Sequence, residues 1–105
     1  MRSVFLLVLL MPLCRCPAYP QDRLPTAPRP KGGYVPDEAT AVVIAEAILK
    51  PIYGAASVAG ERPFRGHLNG DLWTVEGTLH TEMGGVAIVK IRRSDGCIVF
   101  VTHEK

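Results

Sequence analysis

Three histidines, His67, His80 and His103, and a scatter of carboxylates are the residues of this 105-residue chain that could carry acid, base or metal chemistry. Their spacing argues against each use. A metal site asks for ligands at close helical spacing or for cysteines in company, and none of the three histidines has either. His67 and His103 fall in strand-like runs, while His80 sits in the loop "HTEMGG". Paired carboxylates for proton transfer would have to come from Glu76 and Glu82, which have no identifiable partner, or from Asp37 and Glu38. The last two already stand at a helix start, where the positive end of the dipole attracts them. Ser57 and Ser94 lack the neighbouring base and the exposed elbow that make a serine nucleophilic. Gly84 and Gly85 precede a strand, not the helix start that would hold a phosphate. No catalytic residue, cofactor or metal is expected.

What the chain does specify is a scaffold. "GGYVPDEATAVVIAEAILKPIYG" reads as one helix: Pro36 in the first turn, Asp37 and Glu38 at the positive end, then Ala41, Ile44, Ala45, Ile48 and Ile52 as one apolar stripe. Glu46 and Lys50 stand four apart on the other side, and Pro51 is expected to end or kink the helix near Lys50 before Gly54 turns the chain. In "FRGHLNGDLWTVEGTL", Asn69 and Gly70 separate two alternating runs, which predicts a hairpin pairing Leu68 with Asp71, Gly66 with Trp73 and Phe64 with Val75. "VAIVKIRRSDGCIVFVTH" predicts a second, turning at Asp95 and Gly96 and pairing Ile91 with Phe100 and Val89 with Thr102. Together these give an α+β roll in which one N-terminal helix packs on a four-stranded antiparallel meander. The helix is expected to cover Phe64, Trp73, Val75, Val89, Ile91 and Phe100.

The reverse face then carries Leu72, Val86, Ile88, Val99 and Val101 among Arg65, His67, Lys90, Arg92 and His103. So many β-branched residues on an uncovered face suggest that a partner covers them. The candidate protein-binding set is Arg65, His67, Val86, Ile88, Lys90, Val99, Val101 and His103. A homodimer through this free sheet face is a further expectation.

Composition bounds the rest. Residues 1–18 begin with Arg2 and run apolar from Val4 to Leu13, the pattern of an export signal and too short for a permanent span. Cleavage before Tyr19 competes with lipidation at Cys14 or Cys16, which would anchor the chain at a membrane. Residues 19–33 form a proline-rich spacer and 34–105 the domain. From Tyr34 onward seven Lys or Arg stand against nine Asp or Glu, a net of about −2, which gives no reason to expect a nucleic-acid partner. With Cys14 and Cys16 in the export region, Cys97 is expected to stand alone as a small strand residue.

The segments "GYVPDEATAVVIAEAILKPIYG", "WTVEGTL", "GGVAIVKIRRSDG" and "VTHEK", in that order, resemble the nuclear transport factor 2 fold immunity proteins of bacterial polymorphic toxin systems. The matching positions include Pro36 to Ala39, Pro51 to Gly54, Trp73, Glu76, Gly77, Gly84 to Val86, Asp95 and Gly96. Glu82 and Met83 in the loop and the ending "HEK" depart from the pattern. The resemblance implies a cystatin-like or nuclear-transport-factor-2-like roll that binds a cognate toxin in the periplasm or envelope without catalysis. Two alternatives stand beside it: a small-molecule binder or enzyme using a hollow between helix and sheet, and an exported peptidase-inhibitor-like module.

Overall fold

The computed structural model describes residues 27–104, so the expected export segment and most of the spacer lie outside the described residues. Two helices, α1 (Glu38–Tyr53) and α2 (Ala55–Gly60), precede four strands: β1 (Arg65–Asn69), β2 (Leu72–Glu76), β3 (Ala87–Arg92) and β4 (Ile98–His103). All neighbours pair antiparallel in the order β1-β2-β3-β4, and α1 packs across one face, which is the expected α+β roll.

Asp37 caps α1, which leaves Pro36 one residue before the cap and not in the first turn: the Asp37 Oδ1 accepts the Thr40 amide at 2.8 Å and the Thr40 hydroxyl at 2.6 Å. Those two bonds hold the Asp37 carboxyl below the ordinary range. Glu38 reaches the sheet, where its Oε2 accepts the Gly66 amide at 2.8 Å. Contrary to expectation, Pro51 does not end the helix near Lys50: α1 continues to Tyr53 and closes when the Gly54 amide donates to Lys50 O at 2.8 Å. In the last turn the proline forfeits only the bond to Ala47 O, and Ala47 is exposed. The short α2 was not foreseen in the sequence.

The buried stripe of α1 is Ala41, Ala45 and Leu49, with Val42 and Ile44 packed at its margin and Ile52 exposed. The expected stripe included Ile52 and omitted Leu49, because this helix is apolar on nearly every side and its period does not single out one face. Against it lie Phe64, Trp73, Val75, Val89 and Ile91. Full burial of a residue such as Leu49 contributes about 1.5–3 kcal/mol.

Trp73 anchors the core. Its ring leans over Gly66, where a Cβ would come within 3.4 Å of the indole, and its Nε1 donates to Val35 O at 2.7 Å. Val35 is itself fully buried, and its amide donates to Arg93 O at 3.0 Å. The Arg93 Nε donates to Gly32 O at 2.8 Å, so residues 32–35 clasp the second hairpin.

Both hairpin registers differ from expectation. In the first, Asn69 pairs with Leu72, Leu68 with Trp73 and Gly66 with Val75, so the two-residue loop is Gly70–Asp71. Gly70 supplies the φ of +63° that such a loop requires. Asp71 is held in place by the other hairpin: its carbonyl accepts the Arg93 amide at 2.7 Å and its Oδ2 accepts the Ser94 hydroxyl at 2.6 Å. A slip of two leaves every side chain on its expected face.

The second difference is larger. Val89 pairs with Val101 and Lys90 with Phe100, but Ile91 pairs with Ile98, so Val99 is the extra residue of a β-bulge. Phe100 therefore points away from α1 and is 48% exposed, against the expectation that it fills the helix side. Val101 and Ile98 take that place and pack on the core.

Two outcomes are expected. Trp73→Phe leaves the Val35 carbonyl without its donor and should lower the unfolding free energy in urea by about 1–3 kcal/mol. Because the Asp37 carboxyl is lowered in the folded state, its contribution is full above the unfolded value and lost as pH falls through the folded one. The helical circular dichroism of Asp37→Ala should respond less to acid, below about pH 4, than that of the parent chain.

Candidate protein-docking face

The alternation of each strand sends one set of side chains toward α1 and the other to the reverse face. On the reverse face β2 places Leu72, Thr74 and Glu76, β3 places Ile88, Lys90 and Arg92, and β1 places Arg65 and His67. The bulge on β4 adds Val99 and Phe100 side by side. Leu72, Lys90, Val99 and Phe100 line a groove of about 330 Å³. The Lys90 Nζ stands 5.7 Å from the centroid of the Phe100 ring, within cation–π range.

Charge is arranged around this groove. Arg65 lies directly across from Glu76 in the β1–β2 register. The Arg92 guanidinium bonds Asp95 Oδ2 at 2.8 Å. At Asp95, burial works to raise the carboxyl, but the Cys97 amide and the Arg92 guanidinium outweigh it and hold the group below its ordinary value. Lys90, at the centre of the sheet, has the aromatic ring as its described neighbour.

The expected binding set is thus divided. Arg65, His67, Ile88, Lys90 and Val99 share the reverse face, and Val86 precedes β3, half-buried, its carbonyl accepting the Glu104 amide at 3.0 Å. Val101 and His103 do not belong. Val101 packs on the core, and His103 sits opposite Ala87 on the helix side. There the His103 Nε2 meets Glu61 Oε2 at 3.0 Å, with the Tyr53 ring tilted against it at 5.4 Å. Phe100, expected on the helix side, is the reverse-face residue that the candidate set lacked.

The other polar clusters knit the fold. Glu61, just past α2, accepts the Ala87 amide through Oε1 at 2.7 Å while Oε2 meets His103. Arg62 pairs with Glu46 of α1, and His80 contacts Arg62 O at 2.6 Å. Among the described residues no group of three His, Cys, Asp or Glu could hold a metal ion, and no helix is long and apolar enough to cross a membrane. Cys97 is buried and disulfide-bonded, so the expectation of a lone cysteine does not hold.

A family model described as NTF2 fold immunity protein matches residues 40–105, from the first turn of α1 through β4. The chain belongs to that family. This NTF2 fold immunity protein is also 36% identical over 73 residues to "Uncharacterized protein YhhH" of Escherichia coli (strain K12), an alignment covering 68% of this chain. The chain spans 58% of the length of that relative. No solved structure matches.

Sorting the two faces predicts different behaviour for neighbouring residues of β4. Val101→Asp buries a carboxylate against the core and should cost several kcal/mol, on the order of 3 or more, in chemical denaturation. Phe100→Asp, at an exposed position, should stay within about 1 kcal/mol of the parent.

Proposed function

We propose that this immunity protein binds a cognate toxin in the bacterial envelope and neutralises it by occupying it, catalysing no reaction itself, and that the reverse face of the sheet is the docking surface. The observation that carries this reading is the groove between Leu72, Lys90, Val99 and Phe100, where an aromatic ring and a lysine stand together on the face that α1 leaves uncovered. Membership of the immunity family supports a toxin as the partner. An exposed aromatic in a shallow apolar hollow is the kind of residue that dominates binding energy, while charges at the margin such as Arg65 and His67 mainly set the association rate. Val99 completes the apolar lining, and Ile88 stands on the same face two residues from Lys90.

Co-expression with a toxin encoded beside this gene tests the reading. The parent chain should protect the host; Phe100→Asp and Ile88→Asp should lose about 2 kcal/mol of binding or more, roughly thirtyfold in affinity, while remaining folded. Killing that continues in the presence of the folded parent chain would sink the proposal. Unchanged affinity in both variants would move the docking surface elsewhere.

Export is the second part of the proposal. A disulfide at Cys97 supports it, because such bonds persist in oxidising compartments. The intact mass of the exported protein tests this part: a chain shortened at its apolar start, or one carrying lipid at Cys14 or Cys16, is expected, and a full-length unlipidated chain that stays inside the cell overturns export.

A further inference from the structure

We infer that the outer edge of β4 pairs, antiparallel, with β4 of a second copy about a two-fold axis at Thr102, joining two four-stranded sheets into one.

The two edges of the sheet are not alike. Asn69 and Leu72 flank a two-residue loop and exchange hydrogen bonds, so alternation turns the backbone groups of Gly66 and Leu68 outward on β1. That edge is guarded, because the Gly66 amide donates to Glu38 Oε2 at 2.8 Å and the strand carries Arg65 and His67. On β4 the Glu104 amide donates to Val86 O at 3.0 Å. The same alternation points the backbone of Phe100 and Thr102 toward β3 and that of Val101 and His103 away from the sheet. Ile98–His103 contains no Asp, Glu, Lys, Arg or Pro, the residues that usually protect an edge.

A second copy fits this edge for three reasons. A strand pairing with itself brings identical residues close to the axis, which penalises charge, and this strand has no carboxylate, ammonium or guanidinium. The bulge at Val99 spoils an axis at Val101, since that register would pair Val99 with His103 of the copy. An axis at Thr102 avoids the bulge, and Val101 and His103 then exchange all their outward bonds with His103 and Val101 of the copy. In that register Glu104 of the copy falls across Phe100, on the face where the Lys90 ammonium leans over the ring. The pairing leaves both reverse faces uncovered, side by side.

The test is sedimentation velocity on the full chain as its host releases it, from about 1 to 100 µM, with amide exchange read by NMR. A dimer is expected, with the Val101 and His103 amides slow to exchange. Thr102→Lys and Thr102→Glu should each be monomeric where the parent is dimeric, and their equimolar mixture should recover the dimer by placing opposite charges at the axis. The Phe100 and Thr102 amides, bonded to β3, should stay slow throughout. A monomer at every concentration overturns the inference, including one whose Val101 and His103 amides are protected by its own N-terminal residues. So does a dimer that both substitutions leave intact, or one in which those two amides exchange as fast as the His80 loop.

Discussion

The hydrogen bond from the Trp73 indole to the Val35 carbonyl is the constraint on which the rest of this small structure depends. A tryptophan in the middle of a strand offers a large apolar surface, but its N–H needs an acceptor if the ring is to be buried. The acceptor comes from the residues that lead into α1, so one bond fixes both the packed face of the sheet and the entry of the helix. Gly66 supplies the room for the ring, and Arg93 holds Val35 through its carbonyl. Once Trp73 is committed to that side, the uncovered side is determined for β2 and, through pairing, for β1 and β3.

Much of this is visible in the sequence for simple reasons. The alternation of β2 and β3 has a period of two, with Thr74, Glu76, Lys90 and Arg92 on outward positions, so Trp73, Val75, Val89 and Ile91 declare their side. Chain order and the Asn-Gly and Asp-Gly turns declare the meander. β4 is different, because "IVFV" is apolar at four successive positions and no pattern says which two face the core. A one-residue bulge is then silent in the sequence, although it reverses the side taken by Phe100, Val101 and His103. The loop of the first hairpin is illegible for another reason: its position rests on Asp71 bonding a different hairpin, which no local signal carries.

The bulge is also where structure and function meet. It removes an aromatic ring from the core, where Val101 and Ile98 suffice against α1, and sets that ring beside Val99 and Lys90 on the open face. A regular β4 would have given a slightly larger core and a face without an aromatic anchor. Within the NTF2 fold immunity family, this chain thus gains its most exposed strand aromatic through a local irregularity rather than through an added element.

The clasp of residues 32–35 on the second hairpin differs in entropy from the strand pairings. Every strand pairs with its neighbour in the chain, so the sheet closes short loops, whereas the Gly32–Arg93 contact joins residues 61 apart. Closing that long loop costs the most chain entropy and returns only a handful of bonds. The bonds of the clasp, Trp73 Nε1 to Val35 O among them, thus carry a loop-closure cost that no strand pairing in the meander carries.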